Sequence, residues 1–275
     1  MMTTDVLILG TGVAGLTAAI NLSLLKPHLK ILLVTRAKRP EDCNSFWAQG
    51  GIIHPKKSDD FFSFDIQAAS SQTSSESIIS LLQERGEEIF RSFLLETINP
   101  SFARDEKGDL LYTKEAAHSL PRILYHGDHT GKTLELALLN FITTKNIFSN
   151  ITILTEHTAI DLITPEHHGI SLKQRYEKKR VVGAYLLDGV KNEVIKVLSK
   201  KVILATGGLS AIYLNHTNTE GSRGDGMAMA KRAQASLINM EFVQFHPTTL
   251  HDASVGGKRF LISEALRGEG AVLDR

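Results

Sequence analysis

The stretch DVLILGTGVAGLTAAINLSLL, residues 5–25, decides the fold predicted for this chain. Its first five residues form a continuous run typical of a strand buried on both faces, and the residues after the glycines follow a helical pattern to about Leu25. Residues 30–35, KILLVT, repeat the strand signal. A strand, a helix and a second strand in this order predict a β-α-β unit with a right-handed crossover in a parallel sheet.

The glycines between the first strand and the helix form a G-x-G-x-x-G turn. Backbone N–H groups and the helix dipole at such a turn hold a pyrophosphate, so the pattern predicts dinucleotide binding. Tight packing of the strand against the helix is the alternative reason for the glycines. The residues of the predicted phosphate turn are Gly10, Thr11, Gly12, Val13, Ala14 and Gly15.

The second strand ends in Thr35-Arg36 rather than in the acidic residue that accepts ribose hydroxyls in NAD-binding proteins. NAD specificity through a carboxylate is therefore not supported. Thr35 can hydrogen-bond a sugar, and Arg36 can contact a phosphate or an adenine edge. NADP binding, with Arg36 on the 2'-phosphate, stays open at this point.

Composition bounds the class of protein. The 275 residues, 42% of them hydrophobic, suit a globular fold of one large or two ordinary domains. A formal net charge of +1 gives no reason to expect nucleic acid or a membrane as a partner, and the basic run at residues 167–180 is interpreted as a solvated loop. The single cysteine, Cys43, and the lack of a secretory signal pattern favour a reducing, cytoplasmic setting.

The rest of the chain predicts an α/β fold with a second domain beginning near its end. Ser75 is a candidate N-cap for a helix over residues 78–95. Gln234 follows a helical pattern where a helix-ending glycine is common. We expect residues 1–238 to form a Rossmann-like domain with a parallel sheet, and residues 239–275 to begin a capping domain. A β-meander inserted in the first domain is predicted from short β-rich runs at residues 151–161, 181–188, 193–198 and 202–205.

Six motifs in this order resemble the succinate dehydrogenase, fumarate reductase and L-aspartate oxidase flavoprotein family. They extend over essentially the whole chain, and one of them carries Gly207-Gly208 after another buried strand, which together with AQGG favours FAD. The resemblance implies an FAD-binding domain in which Thr35, Arg36, Gly207 and Asp225 also contact the cofactor; a turn or helix cap is the alternative role of Asp225. The motifs are DVLILGTGVAGLTAA, NSFWAQGGI, ILATGG, SRGDGMAMAKRA, NMEFVQFHPT and ISEALRGEGA.

The resemblance also implies a role for the loop that carries the only tryptophan. In the family this loop lies along the flavin, where small residues let the backbone approach the ring. Membrane-bound members have a histidine bonded covalently to the flavin at the position of Asn44, and asparagine cannot form that bond, so we expect noncovalent FAD. Trp47 is expected near the cofactor, with an ordinary core role as the alternative. The loop residues are Asn44, Ser45, Phe46, Trp47, Ala48, Gln49, Gly50 and Gly51.

A dicarboxylic amino acid needs partners for two carboxylates and an acceptor for its ammonium group. The resemblance puts Glu115 near the substrate amino group, although taken alone it reads as a surface carboxylate. His246 and Gln244 match a motif that reaches the substrate, where an imidazole can donate to a carboxylate. The resemblance implies further substrate contacts from Ser263 and Glu264. Arg267 has either that role or a structural ion pair.

The implied reaction is FAD-dependent oxidation of L-aspartate, or another small dicarboxylate, with oxygen or fumarate as the electron acceptor. In the family this reaction feeds quinolinate and de novo NAD synthesis, so an enzyme of that pathway is a candidate partner. The alternatives are a soluble fumarate reductase or succinate-oxidising flavoprotein, and a truncated, non-catalytic flavin-binding remnant. Family chains continue beyond the position of Arg275 to an acid/base arginine, so we expect a fragment or a truncated product.

No metal site is predicted. His126 and His129 flank Asp128, but no further partner has the spacing of a metal ligand. The sequence does not set the oligomeric state.

Overall fold

The computed structural model divides the chain into two compact units. The first consists of Met1–Phe46 and Leu138–Leu261, and the second of Trp47–Ala137 and Ile262–Arg275. The boundary predicted near Asn239 stays a prediction. The structure describes residues 1–115, 118–144, 148–169, 173, 176, 178–246, 248–251, 258–262 and 272.

A six-stranded sheet forms the centre of the first unit. Its strands, numbered along the chain, are β1 (Met2–Leu9), β2 (Ile31–Val34), β6 (Ile151–Leu154), β7 (His157–Ile163), β8 (Gly183–Asp188) and β9 (Glu193–Leu204). Their order in the sheet is β6-β2-β1-β9-β8-β7. Strands β6, β2, β1 and β9 pair in parallel, and β9, β8 and β7 pair antiparallel. This is the predicted α/β fold, a parallel Rossmann-like sheet with a β-meander.

Strand β9 joins the meander to the parallel sheet. Its first half pairs with β8 up to Leu198, and its second half pairs with β1 up to Leu204. The sequence predicted two separate runs here because Lys200 and Lys201 interrupt the apolar pattern, and this split was wrong. Lys200 is at the strand surface, where its Nζ lies 2.7 Å from Asp5 Oδ1.

The predicted run at residues 151–161 likewise corresponds to two strands. Strand β6 ends at Leu154 and belongs to the parallel part of the sheet, whereas β7 begins at His157 and belongs to the meander. Glu156 separates them with a φ of 56°, a left-handed conformation that ends a strand.

The helices of the first unit flank this sheet. Helix α1 (Val13–Leu25) follows β1 as predicted and buries Leu16, Ala19 and Ile20. Helix α7 (Asp225–Arg232) buries Met229 in the hydrophobic core, and Gln234 follows it with a φ of 61°, the left-handed conformation in which a helix-ending glycine is common. The core consists of Leu7, Leu9, Leu32, Val34, Leu162, Ala184, Leu186, Val197 and Met229. Further α-helices among the described residues are α2 (Asn44–Trp47), α3 (Phe62–Ala69), α4 (Glu76–Ile89), α5 (Thr130–Thr144) and α6 (Pro165–His168).

The second unit combines helices with a small antiparallel sheet, in the order β3 (Ile52–Ile53), β5 (Ile123–Leu124) and β4 (Tyr112–Thr113). Helix α4 begins at Glu76, two residues before the predicted start. Ser75 occupies the N-cap position, but its side chain makes no capping hydrogen bond and instead lies 2.9 Å from Ser77 Oγ. The helix continues as a π-helix, Phe90–Ile98, beyond the predicted end.

Candidate functional site

The glycine turn lies where β1 meets α1, in the first unit. Gly10 has a φ of 117°, and a Cβ at this position would lie 2.1 Å from the carbonyl oxygen of Ala205. A Cβ on Gly15 would lie 2.0 Å from the carbonyl oxygen of Gly10. The turn therefore requires glycine at both positions to bring the start of the helix against the ends of β1 and β9.

The start of α1 is capped from a distant segment. Gly12 is the N-cap and has no side chain to offer, and the N–H of Val13 donates to Ser45 Oγ at 3.1 Å. Thr11 is buried, and its hydroxyl donates to the carbonyl oxygen of Pro40. The other first-turn N–H groups have no acceptor within an α-helix, so together with the positive end of the dipole they can bind an anion.

A cavity of about 160 Å³ opens at this turn. Most of the predicted cofactor residues of the first unit line it, and it also includes His157, Thr158 and Ala159, which the sequence did not indicate. His157 is buried, and its Nε2 lies 3.6 Å from Asp188 Oδ2. The predicted residues that line the cavity are Gly10, Thr11, Gly12, Thr35, Arg36, Asn44, Ser45, Gly207 and Asp225.

Thr35 and Arg36 differ in their surroundings within this cavity. Thr35 is buried, and its hydroxyl oxygen accepts from the N–H of Ala37 at 3.3 Å. Arg36 is exposed and passes close to Gly221. Asp225 begins α7 and pairs with Arg223 at 3.3 Å, so it does not cap the helix with its own side chain.

Asn44 connects two segments that line the cavity. Its Oδ1 accepts from the N–H of Thr219 at 2.8 Å, and its Nδ2 donates to Ser222 Oγ at 2.5 Å. Both ends of the amide are therefore used by the protein itself. Asn44 holds the loop of Thr219 and Ser222 against the start of α2.

The second unit contains the glycine-rich part of the predicted flavin loop. Trp47 is 52% exposed, so its alternative role as a core residue is wrong. Ala48 accepts a backbone hydrogen bond from Gly131 at 2.9 Å. Gly51 has a packing role, since a Cβ there would lie 2.3 Å from Ile123 Cγ2 and 2.5 Å from the carbonyl oxygen of Leu124.

Glu115 lies beside this loop. A Cβ on Gly50 would be 3.5 Å from Glu115 Oε2, and the carbonyl oxygen of Glu115 accepts from the N–H of His118 at 3.2 Å. The structure therefore brings together two predicted site residues that are far apart in sequence. Glu115 is only partly exposed, unlike an ordinary surface carboxylate.

A buried charged cluster next to Glu115 was not predicted. It consists of Arg122, Asp59 and Asp65, and it contacts His118 and Ser119. Burial alone raises the pKa of Asp65, but hydrogen bonds from Ser119 and Arg122, with the charge of Arg122, outweigh it and lower the pKa from 3.8 to about 2. Burial and the charge of Arg122 lower the pKa of His118, which favours its neutral imidazole.

His246 and Gln244 line a second cavity, of about 620 Å³, in the first unit. His246 Nδ1 lies 2.9 Å from the carbonyl oxygen of Thr248, and Gln244 is exposed. Arg259 also lines this cavity and donates to Asn215 Oδ1 through Nε and Nη2. The sequence did not indicate Arg259. Ser263, Glu264 and Arg267 lie outside the described residues.

Among the residues that the structure describes, no group of three or more histidine, cysteine, aspartate or glutamate side chains could hold a metal ion. His129 Nδ1 pairs instead with Asp128 Oδ1 at 3.0 Å, and His126 contacts the carbonyl oxygen of Ser101. None of the described helices combines the length and the apolar character that a bilayer span requires.

The family model described as "FAD binding domain" matches residues 5–274. The chain belongs to this FAD-binding domain family. Relatives include L-aspartate oxidase 1 of Ralstonia nicotianae, 35% identical over 99% of this chain and 49% of the relative. L-aspartate oxidase of Clostridium acetobutylicum is 37% identical over 98% of this chain and 57% of the relative. The chain thus spans about half the length of the curated relatives it matches.

Solved structures share the fold of this FAD-binding domain. A variant of E. coli quinol fumarate reductase has a TM-score of 0.82 at 24% identity, covering 98% of this chain and 43% of that chain. The Mycobacterium smegmatis Sdh1 complex has a TM-score of 0.79 at 25% identity, covering 99% of this chain and 46% of that chain. The predicted family resemblance and fold class are confirmed.

The residues of the first unit fit FAD, the cofactor of the family. Glycines at positions 10 and 15 leave no room for a Cβ, and the backbone of Gly10, Thr11 and Gly12, directly before α1, lines the cavity. This donor set suits a pyrophosphate. FAD binding in this family removes the reason to assign Arg36 to the 2'-phosphate of NADP. That these particular residues contact FAD stays a prediction.

Proposed function

We propose that the chain belongs to an enzyme that oxidises L-aspartate to iminoaspartate with noncovalently bound FAD. The observation that carries the proposal is the position of Glu115 beside Gly50, since a carboxylate next to the flavin loop suits an ammonium-bearing substrate. Relatives of similar sequence named L-aspartate oxidase support it. Bound FAD supplies the two-electron acceptor that protein side chains lack.

The side chains of the chain bind and orient the substrate in this proposal. The carboxylate of Glu115 accepts hydrogen bonds from the substrate ammonium. His246, whose Nδ1 lies 2.9 Å from the carbonyl oxygen of Thr248, is the proposed partner of a substrate carboxylate. Gln244 lines the same cavity and adds an amide donor. Ser263 and Glu264 remain predicted substrate contacts.

The test is anaerobic mixing of the FAD-loaded chain with L-aspartate and, separately, with succinate. We expect L-aspartate to bleach the visible absorbance of the flavin, because only this substrate offers an ammonium group to Glu115. Bleaching by succinate alone would support a soluble succinate-oxidising or fumarate-reducing flavoprotein, the second candidate, which the likeness to fumarate reductase structures favours. FAD binding without bleaching by either compound would support a non-catalytic flavin-binding chain.

Noncovalent binding is supported by Asn44, whose amide is engaged with Thr219 and Ser222 and cannot bond to a flavin carbon. We expect acid precipitation to release all of the flavin into the supernatant. Flavin that stays with the precipitated chain would contradict this part of the proposal.

The biological setting is proposed on the same basis. Oxidation of L-aspartate with oxygen or fumarate as acceptor is the first step of quinolinate and NAD synthesis, which makes an enzyme that consumes iminoaspartate a candidate partner. A cytoplasmic location stays a prediction from the single cysteine.

A further inference from the structure

We propose that the buried cluster of Asp59, Asp65 and Arg122 positions Glu115 for the substrate ammonium, acting through Ser119 and His118. The inference rests on the proposed function. In this arrangement the cluster helps the site to select a dicarboxylate that carries an ammonium group, such as L-aspartate, over one that does not, such as succinate.

The cluster provides a fixed anchor within the second unit. Arg122 Nε and Nη2 donate to the two carboxylate oxygens of Asp59 at 2.6 and 3.0 Å, and Nη1 donates to Asp65 Oδ2 at 2.5 Å. All three side chains are almost completely buried. A bidentate pair of this kind fixes the plane of the guanidinium as well as its position.

Three contacts connect this anchor to the backbone that carries Glu115. Asp65 accepts from both the N–H of Ser119, at 2.7 Å, and its hydroxyl, at 2.5 Å. Arg122 Nη1 lies 2.8 Å from His118 Nδ1. His118 in turn donates its backbone N–H to the carbonyl oxygen of Glu115 at 3.2 Å. The anchor thereby constrains the backbone that carries the carboxylate of Glu115.

The contact with Arg122 also fixes the state of His118. A guanidinium nitrogen can only donate, so Nδ1 of His118 must accept, and the proton of the neutral ring is on Nε2. Neutral His118 adds no positive charge near Glu115. Two carboxylates against a single guanidinium leave an excess of negative charge in the cluster, and Glu115 adds its own carboxylate, so a substrate ammonium is favoured over a substrate carboxylate at this place.

The test removes one link without removing the anchor. Ser119→Ala deletes the hydroxyl donor to Asp65 but keeps the backbone donor. A hydrogen bond to a charged acceptor such as Asp65 is stronger than one between neutral groups, so its loss should loosen the segment that positions Glu115. We therefore expect the variant to bind L-aspartate about tenfold more weakly than the unchanged chain. Succinate, which has no ammonium group, should bind within about twofold of the unchanged chain. Binding is measured by anaerobic titration calorimetry on the FAD-loaded chain, alongside thermal unfolding.

A double-mutant cycle separates positioning from a general structural effect. If Ser119 acts through Glu115, then Ser119→Ala adds no further loss of L-aspartate binding in a Glu115→Gln background. Ser119→Thr restores the hydroxyl, and because Ser119 is exposed the extra methyl has room, so L-aspartate binding should recover. Ser92→Ala, a remote exposed hydroxyl that bonds Glu88 in the same unit, is the matched control.

The outcomes are distinguishable. Selective loss of L-aspartate binding that is absent from the Glu115→Gln background supports the inference. Equal weakening of both ligands, weakening of neither, or full additivity with Glu115→Gln overturns it while leaving the proposed function intact. If the unchanged chain, loaded with FAD, binds no L-aspartate, the proposed function fails and the inference fails with it.

Discussion

Replacing Gly15 by alanine should force α1 away from the strand ends. A Cβ at this position would lie 2.0 Å from the carbonyl oxygen of Gly10, a backbone atom in a turn that has no slack, and 3.5 Å from Ala205 Cβ. Real Cβ atoms do not approach within 3.0 Å, so the start of the helix must retreat by about 1 Å. The neighbouring oxygen cannot swing aside as a flexible side chain can.

The expected size of the effect follows from this displacement. Overpacking of a rigid site costs about 1–3 kcal/mol, and we expect the upper end because both partners are backbone. In a chain of this size the melting temperature should fall by roughly 6–12 °C. Moving the first-turn N–H groups by about 1 Å also takes them out of hydrogen-bonding range of a phosphate, which should weaken FAD binding by about tenfold to a hundredfold.

The assay combines thermal unfolding of the flavin-free chain with a fluorescence titration of FAD. Gly12→Ala is expected to be milder, since its Cβ would lie 3.0 Å from the hydroxyl of Ser45, a side-chain atom that can move at the loss of its hydrogen bond with the N–H of Val13. Gly208→Ala is the matched control for stability, because nothing lies within 4 Å of its Cβ. A Gly15→Ala chain that melts and binds FAD like the unchanged protein would refute the reasoning.

Three further outcomes are expected. Asn44→Ala removes the hydrogen bonds to Thr219 and Ser222 and should lower the free energy of unfolding by about 1–3 kcal/mol in urea titration. Asn44→Asp keeps the acceptor for Thr219 and should lose about half of that free energy. Equal stability of the unchanged chain and both variants would contradict this role of Asn44. Gln234→Gly relieves a φ of 61° and should raise the free energy of unfolding by about 0.5–1 kcal/mol, whereas Gln234→Ala, which keeps the strain, should give no gain. Asp65 has its pKa lowered from 3.8 to about 2 in the folded state, so its stabilising contribution is present above pH 3.8 and is lost as the pH falls towards about 2. In acid unfolding, the difference in stability between the unchanged chain and Asp65→Asn should therefore shrink over that interval. A constant difference would show that the pKa of Asp65 is the same in the folded and unfolded states.

The sequence predicts those parts of the fold that local patterns encode. The β-α-β unit follows from two apolar runs around a glycine turn. The sequence pattern also marks Gln234 as a position where glycine is common, and the left-handed conformation found there gives the reason. Strand β9 was split in the prediction because two lysines look like an interruption, although a strand surface accepts charged side chains. Periodicity cannot distinguish these cases without knowing the partner strands.

The sequence predicted those residues of the candidate site that belong to a sequence motif. It missed the residues that meet only through ion pairs between segments far apart in the chain. Asp59 and Arg122 are 63 residues apart, and Asp65 and Arg122 are 57 apart. Each of these residues, taken singly, looks like a solvated charge. Only the tertiary fold reveals that they are buried together beside Glu115. His157 was missed for a related reason, since it begins an edge strand and belongs to no motif.

The length of β9 has a consequence for how the protein is made. On one side β1 cannot pair until β9 has been synthesised, since Met2 pairs with Val197 and Leu9 with Leu204. At synthesis rates of about 5–20 residues per second, the interval between their appearance at the ribosome is on the order of 10–40 s. During that time one edge of a strongly apolar strand is unpaired, a state in which nascent chains stick to one another. Escape from aggregation in the cell therefore depends on how this single edge is shielded until residue 204 emerges.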